Sequence, residues 1–265
     1  MPFIDANGVH LRYRLEGEPG APAIVFSNSL GTNLWMWEPQ ISALREHFRI
    51  LRYDTRGHGL SAVPPGPCTQ EQLGGDILAL MGALEIRQAH FCGLSMGGQV
   101  GIWLGANAPE RFARLVLCDT AAHIGNPDIW NARIAAIRGG GMPAIVSGTI
   151  DRWFTEKFVA RAPDVIASVR RMILDTSPQG YIACCEAIRD TDLTEQASHI
   201  DAPTLVISGA HDRAAPPVQG RLLASMIRGA RYLEFDTAHL SNLEAAPQFT
   251  TAVREFLSGA AAPAG

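Results

Sequence analysis

The segment at residues 93–97, Gly-Leu-Ser-Met-Gly, constrains this chain more than any other feature. It joins an apolar run at 89–92 to a helix-like run at 100–104. A Gly-x-Ser-x-Gly pattern between a buried strand and a helix is typical of a nucleophile elbow, a tight turn that lifts a serine above a sheet edge. The glycines leave room for that strained turn. The motif predicts Ser95 as a nucleophile, although short motifs also arise by chance.

Short apolar runs alternate with helical patterns along most of the chain. Because each run is apolar at successive residues, the strands should be buried on both faces, which predicts an α/β fold with a mostly parallel central sheet and helices on both faces. A capping box, Thr69-x-x-Gln72, introduces one such helix at 73–84. Alternating residues after the turn Asn7-Gly8 predict an antiparallel hairpin at the start. The predicted core strands are 23–27, 48–53, 89–92, 115–118, 204–208 and 232–235.

The alternation stops between residues 119 and 202. Pro127, Pro163 and Pro178 each stand at a predicted first helical position, and three glycines at 139–141 separate two of the helices. An all-helical insertion between core strands predicts a lid over the carboxyl edge of the sheet, where open α/β folds bind ligands. The predicted organisation is a core of residues 1–119 and 203–258, a helical lid at 120–202 and a flexible tail at 259–265.

Composition narrows the class of protein. The chain has 265 residues, of which 47% are hydrophobic, and this suits one large domain that carries an insertion. A net charge of −4 argues against nucleic acid or an anionic membrane as a partner. Without a leader-like or membrane-spanning run, we expect a cytoplasmic protein. The five cysteines lack metal-ligand spacing, so we expect no metal site. The oligomeric state stays open, a homo-oligomer included.

Two later segments supply the partners that a serine nucleophile needs, a base and a carboxylate that orients it. Asp212 follows the apolar run at 204–208, and His239 follows the run at 232–235. The order serine, acid, histidine, each after a predicted strand, is the order of an α/β-hydrolase triad. We therefore predict Ser95, Asp212 and His239 as the catalytic residues.

Three other residues compete for these roles. Asp236 could be the acid, but it lies so close to His239 on the same loop that a turn or surface role is favoured. His211 is adjacent to Asp212 and is interpreted as a loop residue. His58, in the segment 54–59 after a predicted strand, is interpreted as a support for its loop.

An oxyanion hole requires two N–H groups aimed at the developing negative charge. Met96, directly after the nucleophile, should give one of them. The other should come from the loop after strand 23–27, and we predict Leu30, in the segment Asn-Ser-Leu-Gly at 28–31. An ordinary glycine turn remains the alternative for that loop.

These motifs together resemble the α/β-hydrolase superfamily over nearly the whole chain. The segments that carry the resemblance are 54–59, 93–98, 209–212 and 238–239. Within the superfamily, the segments 28–32, 152–155, 184–190 and 238–242 resemble 3-oxoadipate enol-lactonases. Asn28-Ser29 departs from the His-Gly of many superfamily members but fits this subgroup.

The resemblance implies a cofactor-free serine hydrolase that opens a small anionic lactone, 3-oxoadipate enol-lactone, in the bacterial β-ketoadipate pathway of aromatic catabolism. A C–C bond hydrolase or a carboxylesterase would use the same triad and stays open. A haloalkane dehalogenase is disfavoured because it would need aspartate in place of Ser95. A non-catalytic ligand-binding relative is the alternative from another class, and the complete triad argues against it.

The carboxylate of such a lactone needs a cation or N–H donors in a largely apolar pocket. We predict three substrate-binding residues: Arg133 on the first lid helix, Trp153 in the segment 152–154, and Trp35 after the predicted oxyanion loop. The alternative is that lid arginines are solvated and lid tryptophans pack between helices, since spacing alone does not give side-chain direction.

Overall fold

The computed structural model describes residues 2–259, and an eight-stranded sheet forms the centre of this part of the chain. Its strands are β1 (Phe3–Ala6), β2 (Val9–Glu16), β3 (Ala23–Ser27), β4 (Arg49–Tyr53), β5 (Ala89–Leu94), β6 (Phe112–Cys118), β7 (Thr204–Gly209) and β8 (Arg231–Phe235). Their spatial order is β1-β2-β4-β3-β5-β6-β7-β8. β2 pairs antiparallel with β1 and β4, and every other pair is parallel. The predicted hairpin and the mostly parallel sheet are confirmed.

Helices connect the strands, and six of them follow one another between β6 and β7. They are α1 (Glu38–Leu44), α2 (Gln70–Ala83), α3 (Met96–Asn107), α4 (Pro127–Gly140), α5 (Pro143–Trp153), α6 (Glu156–Arg161), α7 (Pro163–Asp175), α8 (Pro178–Arg189), α9 (Thr194–Ser198), α10 (Pro217–Met226), α11 (Ser241–Glu244) and α12 (Ala246–Leu257). Two short 3₁₀ helices span Leu34–Trp37 and Pro109–Arg111.

Side-chain caps explain where several helices begin. Thr69 and Gln72 form both hydrogen bonds of the predicted capping box at the start of α2. Asn126 accepts a hydrogen bond from the Ile129 N–H at α4, and Ser177 caps α8 in the same way. The caps at these three positions satisfy N–H groups that a helix leaves unpaired in its first turn.

How deeply a strand is buried depends on its place in the sheet. All six residues of β7 are buried, so both faces of the sheet are covered there, as the apolar runs predict. The expectation is wrong for β8, whose residues are half-buried and whose Glu234 is exposed. β8 is the outermost strand, and no ninth strand covers its far side in residues 2–259. An edge strand carries partly polar residues for that reason.

The chain between β6 and β7 contains the six helices α4 to α9 and, within the described residues, no strand. We call residues 120–202 the lid segment. Its bounds lie within two residues of the end of β6 and the start of β7. The predicted flexible tail, apart from Gly259, lies outside the described residues.

Glycines let α3 approach the sheet closely, and this helix carries the serine of the motif at its start. A Cβ atom on Gly97 would lie 2.3 Å from the Ser27 carbonyl oxygen, and one on Gly101 would lie 2.5 Å from the Phe91 ring. Any larger residue at these positions would push the helix away from β3 and β5. The position of Ser95 therefore depends on glycine packing below it.

Candidate active site

Ser95 occupies the sharp turn between β5 and α3 that the motif predicts. Its backbone angles, φ 59° and ψ −115°, are uncommon for a residue with a side chain. A Cβ atom on Gly93 would lie only 2.2 Å from the Gly97 carbonyl oxygen, so the turn closes on itself. The Ser95 N–H donates to the Cys118 carbonyl oxygen at 2.9 Å, which ties the turn to β6. The surrounding structure holds a strained backbone in place.

Asp212 and His239 form a buried pair at the ends of β7 and β8. His239 Nδ1 lies 2.7 Å from Asp212 Oδ2, and both side chains are shielded from solvent. The other oxygen, Oδ1, accepts hydrogen bonds from the N–H groups of Ala214 and Ala215, at 2.7 and 2.9 Å. With the proton on Nδ1 facing the carboxylate, Nε2 is left to accept a proton.

The Ser95 side chain is not hydrogen-bonded to His239 or Asp212. Within residues 2–259, Ser95 Oγ makes no hydrogen bond. Hydrogen bonds of catalytic groups are often long in unliganded sites and tighten when substrate binds. All three residues nevertheless follow the carboxyl ends of β5, β7 and β8, which are parallel strands of one sheet and end at the same edge.

The three residues that competed for catalytic roles, Asp236, His211 and His58, make contacts with other groups. Asp236 Oδ1 pairs with His211 Nε2 at 2.7 Å, and both side chains are mostly exposed. His58 is buried, with Nδ1 3.2 Å from the Arg56 carbonyl oxygen. Burial lowers the pKa of His58 to about 4, so its ring is neutral near pH 7. The carboxylate partner of His239 is Asp212, not Asp236.

The predicted oxyanion donors lie on two segments that are bonded to each other. The Gly97 N–H donates to the Asn28 carbonyl oxygen at 3.1 Å, which ties the loop before Leu30 to the elbow. Leu30 and Met96 are both buried. Neither of their N–H groups has a hydrogen-bond acceptor among residues 2–259. Two buried donors without acceptors suit a site where negative charge develops.

Sequence reasoning missed Asp119, which binds both catalytic loops at once. Its Oδ1 accepts from the Gly209 N–H at 2.9 Å, and its Oδ2 accepts from the Ser241 N–H at 3.2 Å and the Ser241 hydroxyl at 2.5 Å. Gly209 begins the loop of Asp212, and Ser241 lies two residues after His239. Burial, and then the charge of Asp212, raises the pKa of the Asp119 carboxyl well above its ordinary value. The only sequence feature that could have pointed to Asp119 is its position directly after the predicted strand 115–118.

The three predicted substrate-binding residues have different surroundings. The Trp153 ring lies 5.9 Å from the His239 ring, and the Trp153 carbonyl oxygen accepts from the His239 N–H at 3.1 Å. The Arg133 guanidinium stacks on Trp130, 4.8 Å from the ring centroid. The Trp35 ring lies 5.0 to 5.6 Å from three guanidinium groups, those of Arg12, Arg14 and Arg52. A substrate-binding role for these residues stays a prediction.

Neither a metal-ligand cluster nor a membrane-spanning helix occurs in the part of the chain that the structure describes. No group of three or more His, Cys, Asp or Glu side chains in residues 2–259 is arranged to hold a metal ion. In the same range, no helix is long and apolar enough to cross a membrane.

Comparison with known proteins identifies the family. Residues 22–139 match the family model described as the alpha/beta hydrolase fold. 3-Oxoadipate enol-lactonase 2 of Acinetobacter baylyi is 40% identical over 250 residues, which cover 94% of each chain. The chain belongs to the α/β-hydrolase family. The agreement over almost all of both chains extends this membership beyond the matched segment.

Solved structures place this α/β-hydrolase among enzymes. The crystal structure of the enol-lactonase from Burkholderia xenovorans LB400 has a TM-score of 0.96 and 51% identity, and covers 97% of this chain and 100% of that chain. A thermophilic esterase from Thermogutta terrifontis has a TM-score of 0.92 and 29% identity, with 98% and 99% covered. The α/β-hydrolase described here is accordingly a hydrolase.

Proposed function

We propose that this hydrolase opens 3-oxoadipate enol-lactone to 3-oxoadipate through an acyl-enzyme on Ser95. The buried hydrogen bond between Asp212 and His239 is the observation that carries the chemistry. The substrate is supported by relatives whose names specify it, including the Acinetobacter baylyi enzyme at 40% identity. A second enzyme of the same organism and the same name is 39% identical over 243 residues.

In the first half of the reaction, Ser95 Oγ attacks the lactone carbonyl carbon while His239 Nε2 accepts the hydroxyl proton. The N–H groups of Leu30 and Met96 bind the carbonyl oxygen as it becomes negative. Collapse of this intermediate breaks the ring C–O bond, and the ring oxygen leaves as an enolate. An enolate leaves more easily than an alkoxide because its charge is delocalised. The proton held by His239 passes to the leaving enolate, which becomes the ketone, and the imidazole is neutral again before water attacks.

In the second half, a water molecule loses a proton to His239 and attacks the acyl carbon. The same two N–H groups bind the second oxyanion, and its collapse returns the proton to Ser95. Asp212 keeps the imidazole in one orientation and stabilises its charged form in both halves. Three hydrogen bonds to its carboxylate make that orientation rigid.

The substrate keeps one carboxylate outside the ring, and we propose that Arg133 binds it. The guanidinium is half-buried in the lid segment and held on the Trp130 ring. Trp153 would form the apolar wall beside His239, since its ring packs against the imidazole.

The test is turnover of the enol-lactone, followed by the loss of its ultraviolet absorbance after addition of the enzyme. We expect stoichiometric formation of 3-oxoadipate by wild type and none above background by Ser95→Ala. A wild-type protein that leaves the lactone unchanged while it hydrolyses simple esters would overturn the lactone assignment. A carboxylesterase is then the second candidate, favoured by the likeness to the Thermogutta terrifontis esterase.

A further inference from the structure

The hydroxyl of Tyr181 is a buried polar group without a partner. Tyr181 lies on α8 in the lid segment and is 1% exposed. Its Oη makes no hydrogen bond within residues 2–259. Burial raises the pKa of Tyr181 to about 12, so the hydroxyl keeps its proton at neutral pH and can donate it. A buried hydroxyl left unpaired in the free protein is unfavourable for folding and requires an explanation.

Tyr181 lies directly beside the proposed oxyanion loop. A Cβ atom on Gly31 would lie 2.8 Å from Tyr181 Cε2, so the ring rests on the residue that follows Leu30. The His58 ring lies 6.4 Å from the Tyr181 ring. The tyrosine therefore lies beside the loop that is proposed to bind the oxyanion.

Two cations of the lid segment lie near this hydroxyl. The charges of Arg133 and Arg152 both act to lower the pKa of Tyr181 against the larger effect of burial. The Arg133 guanidinium lies next to the hydroxyl but not in the geometry of a hydrogen bond. Burial, followed by the charge of Arg133, lowers the pKa of Arg152, so the two guanidinium groups repel each other.

Neither of these arginines forms an ion pair with a carboxylate of residues 2–259. Arg152 has only a long contact to Thr149 Oγ1, at 3.4 Å. Two other lid arginines are neutralised by acids: Arg138 by Glu186 at 3.6 Å and Arg189 by Asp190 at 2.7 Å. The charge of Asp151 raises the pKa of Arg152, but it is the smallest of the effects on that group. Like charges held close without an ion pair favour the arrival of an anion.

We propose that Tyr181 Oη, Arg152 and Arg133 together form the subsite for the substrate carboxylate, with Tyr181 and Arg152 as specificity-determining residues. A carboxylate has about four lone-pair positions, which suits two guanidinium groups and one hydroxyl. Its charge would remove the repulsion between the arginines. Its oxygens would also accept the hydrogen bond that Tyr181 lacks in the free protein. This subsite rests on the proposed function, because the carboxylate that it binds belongs to the proposed substrate.

A pair of lactones separates recognition of the carboxylate from the chemistry. α-Angelica lactone has the same enol-lactone ring, with a methyl group where 3-oxoadipate enol-lactone has a carboxymethyl group. Wild type should hydrolyse both and should have the lower KM for the anionic lactone. If wild type hydrolyses neither, the proposed function fails, and that outcome is distinct from any result with the variants.

The variants are Tyr181→Phe and Arg152→Met, with Arg171→Met as the control on an exposed arginine of α7. For the anionic lactone we expect KM to rise about 10-fold in each test variant with little change in kcat, since each loses a hydrogen bond to a charged group. KM for α-angelica lactone should stay within about twofold of wild type, because no such bond exists for the neutral ring. Arg171→Met should match wild type on both lactones.

Thermal unfolding gives an independent check on Tyr181. A hydroxyl that serves the substrate contributes nothing to the free protein, so Tyr181→Phe should unfold at the wild-type temperature or above it. A lower unfolding temperature, with equal losses on both lactones, would show a structural hydroxyl and overturn the proposal. Unchanged KM for the anionic lactone in both test variants would overturn it as well.

Discussion

The core side and the lid side of the candidate site differ in how their polar groups are satisfied. On the core side, three hydrogen bonds hold Asp212 and three hold Asp119. On the lid side, Arg133 and Arg152 have no carboxylate partner in residues 2–259, and the Tyr181 hydroxyl has no partner there. Groups that must keep one geometry through a reaction are paired in advance. Groups that must meet a ligand are left unpaired until it binds.

The two sides also differ in the secondary structure that positions their residues. The core residues follow parallel strands, whose carboxyl ends are aligned by the hydrogen bonds of the sheet. The lid residues lie on α4, α5 and α8, which come together only through side-chain packing between helices. Substitutions on the core side should therefore change kcat, whereas substitutions on the lid side should change KM for an anion.

The largest effect that this comparison predicts is that of Ser95→Ala. We expect kcat to fall by about 10⁴-fold or more, because no other group can form the acyl-enzyme. Alanine fits the turn, so the unfolding temperature should stay near that of wild type. Steady-state kinetics on the lactone and on p-nitrophenyl acetate measure the loss. Near-normal activity on either substrate would remove Ser95 from the mechanism.

Asp119→Asn tests whether pairing on the core side matters for the chemistry. An amide cannot accept at both of its ends, so it would leave a donor from Gly209 or from Ser241 unpaired. Both catalytic loops should shift, and we expect kcat to fall by about 10- to 100-fold with little change in KM. Asp236→Asn is the control, an exposed carboxylate on the loop of His239. Equal effects of the two substitutions would contradict a positioning role for Asp119.

Arg133→Met should give the opposite pattern, a change on the lid side alone. We expect KM for the anionic lactone to rise about 10-fold through the loss of a charged hydrogen-bond donor, while p-nitrophenyl acetate is hydrolysed as by wild type. Arg138→Met is the control on the same helix, because Arg138 is exposed and paired with Glu186. Equal losses on both substrates would mean that Arg133 supports the lid segment instead of the carboxylate.

The smallest effect concerns stability in mild acid. Burial lowers the pKa of His58 from its ordinary 6.5 to about 4, so the unfolded chain binds a proton between these values and the folded chain does not. The free energy of unfolding should therefore decrease as pH falls from 6.5 towards 4, by about 3 kcal/mol from His58. Denaturant titrations at several pH values should show a shallower decrease in His58→Gln than in the control His47→Gln, an exposed histidine. Equal slopes would refute a neutral, buried His58.

Much of the core could be predicted from the sequence because its signals are local. The elbow is specified by glycines that no larger residue could replace, and the helix starts are specified by Thr69, Asn126 and Ser177. The strand that was misjudged, β8, is apolar enough to suggest burial, but its place at the edge depends on the order of strands in space.

The surroundings of several site residues depend on contacts between distant segments, which the sequence does not show. Asp119 joins two loops that follow it by about 90 and 122 positions, so its partners are not visible around it in the sequence. Trp35 was predicted from its place after the oxyanion loop, and its ring lies beside arginines that two strands bring together. Tyr181 lies beside the loop of Gly31 because α8 packs there. Helix packing of this kind has no local signature.

The division between chemistry in the core and recognition in the lid is tested most directly by covalent labelling. An uncharged fluorophosphonate reacts with an activated serine and needs no carboxylate subsite. We predict that intact mass and peptide mapping will find the adduct on Ser95, formed at the same rate in wild type and in Arg133→Met. An adduct on another residue, or much slower labelling of Ser95 in Arg133→Met, would contradict this division of roles.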